Sequence, residues 1–228
     1  MLSQRPLVKR HIHQNRSQYA TKKANSIKAN QDKIACQFSH KKALVLDLDE
    51  TLIYCCKFPP HGNIDFIRFD DNGETYYIFK RPGLDDFLKK MNNLFEIYIF
   101  TYSEKSYAEP IIEKICPFID KDHRLYRESC KIVFGLIHKN LKFFHRPIEE
   151  VLLIDDNPDN LKFYPDNTIL IEKWFGAQHD NELIETIPNI LNECLFTDDV
   201  QSVTKNYTKK RKHCFSVPSG FYSTFNSL

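Results

Sequence analysis

Two aspartates two residues apart, Asp47 and Asp49, close the short apolar run Ala43-Leu44-Val45-Leu46, and Thr51 follows them. A four-residue apolar run that changes abruptly to acid reads as a buried strand and its end. Side chains alternate along a strand, so the two carboxylates point the same way if the strand continues. If the strand stops at Leu46, both lie on the loop at its carboxyl end, where open α/β sheets bind ligands. Two carboxylates held this close repel each other unless a cation or a proton compensates. The residue types therefore call for a metal ion, a phosphoryl group, or both.

Two further apolar runs end in the same manner. Phe95 to Phe100 gives way to Thr101-Tyr102-Ser103, and Val151 to Ile154 gives way to Asp155-Asp156-Asn157-Pro158. In a parallel sheet successive carboxyl ends face one edge, so the three polar strand ends share one crevice. Together they can do phosphoryl chemistry. Asp47 can attack phosphorus and form an acyl-phosphate. Asp49 can protonate the leaving alcohol and then activate water. Asp155 and Asp156 supply hard oxygen ligands suited to Mg²⁺. Thr101, with a cation, can hold the phosphoryl oxygens.

The elements that must position these groups alternate between strand and helix, which gives an α/β fold with a largely parallel sheet. Leu84, Phe87, Leu88 and Met91 follow helical spacing after Arg81-Pro82-Gly83. A second helix is expected over 104–115, burying Tyr107, Ile111, Ile112 and Ile115, and a last one over 181–194. A fourth apolar strand run covers Thr168 to Ile171. Between the first strand and the first helix, Ile64–Phe69 and Thr75–Phe79 flank Asp70-Asp71-Asn72-Gly73, the pattern of a β-hairpin inserted at about 57–79.

Charge divides the 228 residues into three. Residues 1–40 hold eight Lys/Arg and one acid, and 205–228 hold five Lys/Arg and no acid, while 41–204 hold 19 basic and 29 acidic side chains. An acidic body, 41–204, is expected between a basic, disordered segment 1–40, with a helix near 18–35, and a basic C-terminal tail, 205–228. The N-terminal segment has the composition of a mitochondrial transit peptide or of a plain basic tail. Lys209-Lys210-Arg211-Lys212 reads as a nuclear-import cluster, a nucleic-acid patch or a solvated tail. No apolar run reaches the ~18 residues of a membrane span. The seven cysteines are odd in number and include no Cys-x-x-Cys pair, which favours reduced thiols inside a cell over a zinc site.

Asp47-Leu48-Asp49-Glu50-Thr51 matches the D-x-D-x-T motif of the haloacid dehalogenase superfamily. The chain resembles one branch of it, the FCP/SCP-type phosphatases that act on the C-terminal domain of RNA polymerase II and on related phosphoproteins. Lys80-Arg81-Pro82 with Phe87-Leu88, Phe100-Thr101-Tyr102-Ser103, Tyr107-Ala108-Glu109-Pro110, Arg127-Glu128-Ser129-Cys130, Trp174-Phe175 and Asp180-Asn181-Glu182-Leu183 carry the resemblance across about 41–204. It implies a HAD-like Rossmannoid three-layer sandwich with the inserted β-hairpin or small sheet.

The resemblance also implies roles. Asp47 is the phosphorylated nucleophile, and Asp49 is the acid/base that lends its backbone carbonyl to Mg²⁺. Thr101 binds the phosphoryl group. Lys139, sixteen residues before Asp155, matches the family lysine. Asp156 contacts the metal with Asp155 alongside. In the family the insert builds an apolar pocket, which places Phe58, Phe66 and Tyr107, with Ile67 and Phe69, as substrate-binding candidates. Tyr54-Cys55-Cys56 departs from the family's H-S-S-type segment. The implied protein is a Mg²⁺-dependent phosphoserine/phosphothreonine phosphatase of the small, single-domain type. It is expected to be monomeric, to need neither membrane nor nucleic acid, and to reside in the nucleus or cytoplasm rather than the mitochondrion. The competing class is a binding module like the translocase subunits of the mitochondrial inner membrane, but the catalytic set is intact here.

Overall fold

In the computed structural model, which describes residues 40–59, 66–71 and 73–214, the run after Lys42 forms strand β1, Ala43–Leu46, buried along its whole length. Parallel strands β5, Glu96–Phe100, and β9, Val151–Asp155, flank it on either side, with Leu44 in register with Ile97 and with Leu152. Strands β6, Arg124–Leu125, and β10, Thr168–Leu170, complete a five-stranded parallel sheet in the order β10-β9-β1-β5-β6. The chain leaves β1 towards β5 and β6 and returns on the other side to β9 and β10. Such a reversal opens a crevice at the carboxyl ends of the strands.

Alternation along the strands sends side chains to two cores. Leu44, Leu46, Ile97, Ile99, Leu152 and Ile154 face helices α1, Leu84–Leu94, α2, Lys105–Ile115, and α4, Ile187–Leu195. Ala43, Val45, Phe100, Val151 and Leu153 face the opposite way, onto Leu141, Phe144 and Tyr164 beside the short helix α3, Asp159–Phe163. The sheet is thus buried on both faces, the middle layer of three.

Helix α1 buries Leu84, Phe87, Leu88 and Met91, as its spacing requires, and carries Asp85 and Asp86 in its first turn, where acids suit the helix dipole. It starts at Gly83, whose φ of +79° is left-handed and whose missing Cβ would stand 2.6 Å from the Ile184 side chain, so only glycine fits there. In α2 the fourth core position is Ala108, and Tyr107 is only partly buried.

The insert is a small sheet that contains the hairpin. Strand β2, Ile53–Cys56, pairs with β4, Glu74–Lys80, which pairs in turn with β3, Phe66–Asp71, to give a three-stranded antiparallel sheet. β3 and β4 form the expected hairpin, with Gly73 at φ +81° in its turn. β2 begins two residues after Thr51, so the insert starts earlier than 57.

Two expected boundaries shift. The helix expected over 181–194 opens as a wide turn, Glu182–Thr186, in which Thr186 N–H reaches Asn181 O. This places Pro188 in the first turn of α4, where its missing N–H leaves no gap in the helix. Helix α5, Val200–Cys214, runs through the expected boundary at 204/205, because Val203 and Tyr207 still pack on the core. The expectations for 1–39, including a helix near 18–35, and those for 60–65 and 215–228 lie outside the described residues. Among the described residues no helix is long and apolar enough to cross a membrane.

Arg81, 1 % exposed, ties three loops together. Its Nε and Nη2 donate to the two carboxylate oxygens of Asp180 at 2.9 and 2.7 Å, Nη1 to Thr51 O at 3.0 Å, and Nη2 also to Glu172 O at 3.0 Å. Truncating one partner of a buried pair strands the other charge. Arg81→Met is expected to lower the unfolding free energy by about 3–5 kcal/mol in urea titrations; a loss below about 1 kcal/mol would contradict this role.

Candidate active site

β1 stops at Leu46, so Asp47 and Asp49 both lie on the loop that follows. Asp47 N–H donates to Ile154 O at 3.0 Å, which anchors the loop to β9. The chain then folds back tightly. Leu52 and Ile53 N–H groups both reach Leu48 O, at 2.9 and 3.1 Å, and Glu50 holds a left-handed φ of +55°. That backbone is costly for glutamate and is over-determined here by Glu50 N–H to Ile53 O and Trp174 N–H to Glu50 O.

This loop turns the two aspartates into different environments. Asp47 is buried; its Oδ1 lies 2.5 Å from Lys139 Nζ, and its Oδ2 accepts from Thr51 Oγ1 at 3.0 Å. Lys139, also buried, donates to Asp155 Oδ2 at 2.7 Å. Asp155 is fixed further by Asn157 N–H at 2.8 Å and Asn160 Nδ2 at 2.9 Å. The Thr51 hydroxyl also lies 3.0 Å from Asp156 Oδ1, and its single proton can serve only one of the two carboxylates at a time. Lys173 Nζ holds Asp156 Oδ2 at 2.7 Å.

Asp49 stands apart from this cluster. Its Oδ2 accepts from Ser103 Oγ at 2.6 Å and lies 3.4 Å from Thr101 Oγ1, and its Oδ1 accepts from Tyr107 OH at 2.8 Å. The Thr101 hydroxyl is oriented by Ser103 N–H at 3.0 Å.

Electrostatics follow from this packing. Burial, then the charges of Asp155 and Asp156, push the Asp47 carboxyl well above the usual range, with Lys139 pulling it back. Burial pulls Lys139 down, but Asp155 and Asp47 more than offset it and hold the ammonium above its ordinary value. The hydrogen bond to Asp156 raises Lys173. Burial and the Asp49 charge raise the Tyr107 phenol far above its normal range, so it keeps its proton and donates it to Asp49.

Oxygens of Asp47, Asp155 and Asp156 lie within 4.8 Å of one another. Three carboxylates face two ammoniums, Lys139 and Lys173. The all-oxygen donor set and the uncompensated charge fit a hard divalent cation such as Mg²⁺. The side chain of Asp49 is not part of that cluster. The crevice has a volume of about 240 Å³ and also admits Arg127, Ile137 and Glu50.

The structure thus brings together Asp47, Asp49, Thr101, Lys139, Asp155 and Asp156. It does not bring the three substrate-pocket candidates together. Tyr107 packs against Phe69, ring centroids 6.2 Å apart, on the face of the small sheet that meets the core. Phe66 is an odd number of residues away along β3, so it lies on the opposite face, beside Tyr77 at 5.7 Å. Phe58 is 75 % exposed. Thr51, Ser103, Asn160 and Lys173 take part although sequence reasoning gave them no role. Ser103 was legible as the second residue after Thr101. Lys173 follows the end of β10 on the same sheet edge, a weaker signal.

A family model described as NLI interacting factor-like phosphatase matches residues 42–201. The chain is 38 % identical over 155 residues to phosphatase PSR1 of Saccharomyces cerevisiae, covering 65 % of this chain and 35 % of that one. It is 37 % identical over 172 residues to the human carboxy-terminal domain RNA polymerase II polypeptide A small phosphatase 1, covering 74 % and 65 % respectively. It therefore spans about a third to two thirds of the length of these relatives. Among solved structures, the fission yeast RNA polymerase II CTD phosphatase Fcp1 bound to beryllium fluoride has a similar fold. Its TM-score is 0.50 at 18 % identity, over 82 % of this chain and 67 % of that one.

Proposed function

The chain belongs to the NLI interacting factor-like phosphatases, and from that premise we propose that it is a Mg²⁺-dependent protein serine/threonine phosphatase working through a phosphorylated Asp47. The observation that carries this reading is the division of labour between the two aspartates. One is buried among Lys139, Thr51 and the acidic pair; the other is held by hydroxyls at the crevice wall.

Asp47 attacks the phosphorus of a phosphoserine or phosphothreonine. The bond from phosphorus to the side-chain oxygen breaks as Asp49 gives that oxygen its proton. Asp49, now a carboxylate, then takes a proton from water; the water oxygen displaces Asp47 from phosphorus and inorganic phosphate leaves. Tyr107 and Ser103 fix the Asp49 carboxyl for both transfers, and proton transfer of this kind contributes about 10²–10⁴ in rate. Thr101 and Lys139 position phosphoryl oxygens and offset their charge. Asp47, Asp156 and, beside them, Asp155 would hold Mg²⁺, with Asp49 contributing its backbone carbonyl. The ion would supply the positive charge that lets a buried carboxylate attack an anionic phosphate.

Substrates on this reading are phosphoproteins, and the name of the human relative makes the RNA polymerase II C-terminal domain one candidate. Hydrolysis of an aryl phosphate by the purified chain is the test. Turnover is expected to vanish in excess EDTA and to return with added Mg²⁺. Equal turnover with and without EDTA would contradict the metal assignment.

A further inference from the structure

Strands β7, Lys131–Val133, and β8, Leu136–His138, form an antiparallel hairpin that leads directly into Lys139. Val133 pairs with Leu136, so Phe134 and Gly135 make a two-residue turn, with φ of +51° and +76°. Positive φ at both positions is the geometry that hairpins normally fill with Asn-Gly or Gly-Gly. Gly135 adopts it freely, whereas Phe134 adopts it at a cost of about 1–2 kcal/mol. Phe134 is also 99 % exposed. A bulky apolar residue has therefore been kept where both backbone strain and solvation disfavour it.

The rest of the hairpin gives this placement a direction. Ile132 is paired with Ile137, so the two side chains share a face. Ile137 lines the crevice with Lys139, and Ile132, 67 % exposed, continues the stripe outwards. The other face carries Val133, Leu136 and His138. The His138 ring lies 4.2 Å from Phe163 and is stacked 5.6 Å from Tyr164, so this is the side that leans on α3. An apolar strip thus leads out of the crevice from Ile137 to Ile132, and Phe134 stands at the tip of the same hairpin.

We propose that this hairpin is a docking surface for the phosphoprotein substrate, with Ile132 and Phe134 receiving an apolar side chain of the segment whose phosphoresidue enters the crevice. The inference rests on the phosphatase reading above. Exposed apolar patches mark interaction sites, and continuity with the crevice selects the substrate over a second copy of the chain. From Lys139 the extended chain rises four residues to the turn that holds Phe134, about 14 Å at 3.4 Å per residue. An extended substrate spans that distance in about four residues, so its apolar side chain falls three to five positions from the phosphoresidue.

The test compares wild type with Phe134→Gly and Ile132→Ser. Phe134→Gly relieves the strained turn, so it cannot act by unfolding the hairpin. The substrates are p-nitrophenyl phosphate and phosphoserine peptides carrying a single leucine three to five residues to either side, each beside its serine counterpart. Wild type is expected to prefer one leucine peptide. Both variants are expected to lose about tenfold in kcat/KM on it, through KM, and to match wild type on p-nitrophenyl phosphate and the serine peptides. Unchanged kcat/KM on every peptide would overturn the docking surface and leave the phosphatase reading standing. A dimer that Phe134→Gly dissolves would assign the stripe to a second copy and overturn it too. A wild type that hydrolyses none of these substrates would overturn the phosphatase reading, and the docking surface with it.

Discussion

Replacing Asp47 by asparagine is expected to lower kcat for phosphopeptide hydrolysis by at least about 10⁴-fold. The amide keeps the size of the side chain and can still accept from Thr51 Oγ1 or Lys139 Nζ, so the loop retains its partners. It offers no anionic oxygen for attack on phosphorus. It also removes one of the three carboxylates gathered within 4.8 Å, so metal affinity falls as well. Steady-state kinetics at saturating Mg²⁺ separate the two effects, because only the loss of metal binding is reversed by more Mg²⁺. Retention of more than a tenth of the wild-type rate would remove Asp47 from the nucleophile's role.

Asp49→Asn is expected to cost about 10²–10⁴ in kcat on phosphoserine peptides. The effect should depend on the leaving group. A seryl oxygen must be protonated as it leaves, whereas p-nitrophenolate departs unaided, so the first step suffers less with the aryl ester. Water activation suffers with both substrates, and the variant should therefore accumulate phosphoenzyme from p-nitrophenyl phosphate. The amide oxygen of the substituted side chain can still accept from one of the Tyr107 and Ser103 hydroxyls, and the other hydroxyl can turn to accept from the amide N–H, so the variant should fold as wild type does. A peptide rate within a factor of two of wild type would show that Asp49 is not the proton donor.

The parts of the fold legible in the sequence were those where one residue pattern answers to one physical need. Apolar runs ending in Asp47, Thr101 and Asp155 became β1, β5 and β9, and their polar ends met at one edge because the sheet is parallel. The α1 stripe followed from helical spacing alone. β2 was not legible, since Ile53–Cys56 follows the catalytic loop without a turn signal and its partner, β4, lies more than twenty residues on. The β7–β8 hairpin was hidden because Phe134-Gly135 is not a favoured turn pair.

In the site, the resemblance supplied Lys139, whose side chain bridges 92 residues to Asp47. Lys173 and Asn160 stayed hidden because a polar residue in a loop or first helical turn carries no signal until the fold brings it to a carboxylate. The resemblance places Phe66 and Tyr107 in one insert pocket, whereas the strand's period of two separates Phe66 from the Phe69 face against which Tyr107 packs.

The central claim is that phosphate passes through Asp47, and chemical trapping tests it most directly. An aspartyl phosphate is reduced by borohydride to homoserine, which mass spectrometry locates within the sequence. Asp49→Asn, quenched with borohydride during turnover of p-nitrophenyl phosphate in Mg²⁺, should yield homoserine at position 47 and at no other aspartate. Continuing turnover with position 47 left as aspartate, or homoserine at a different position, would contradict the account.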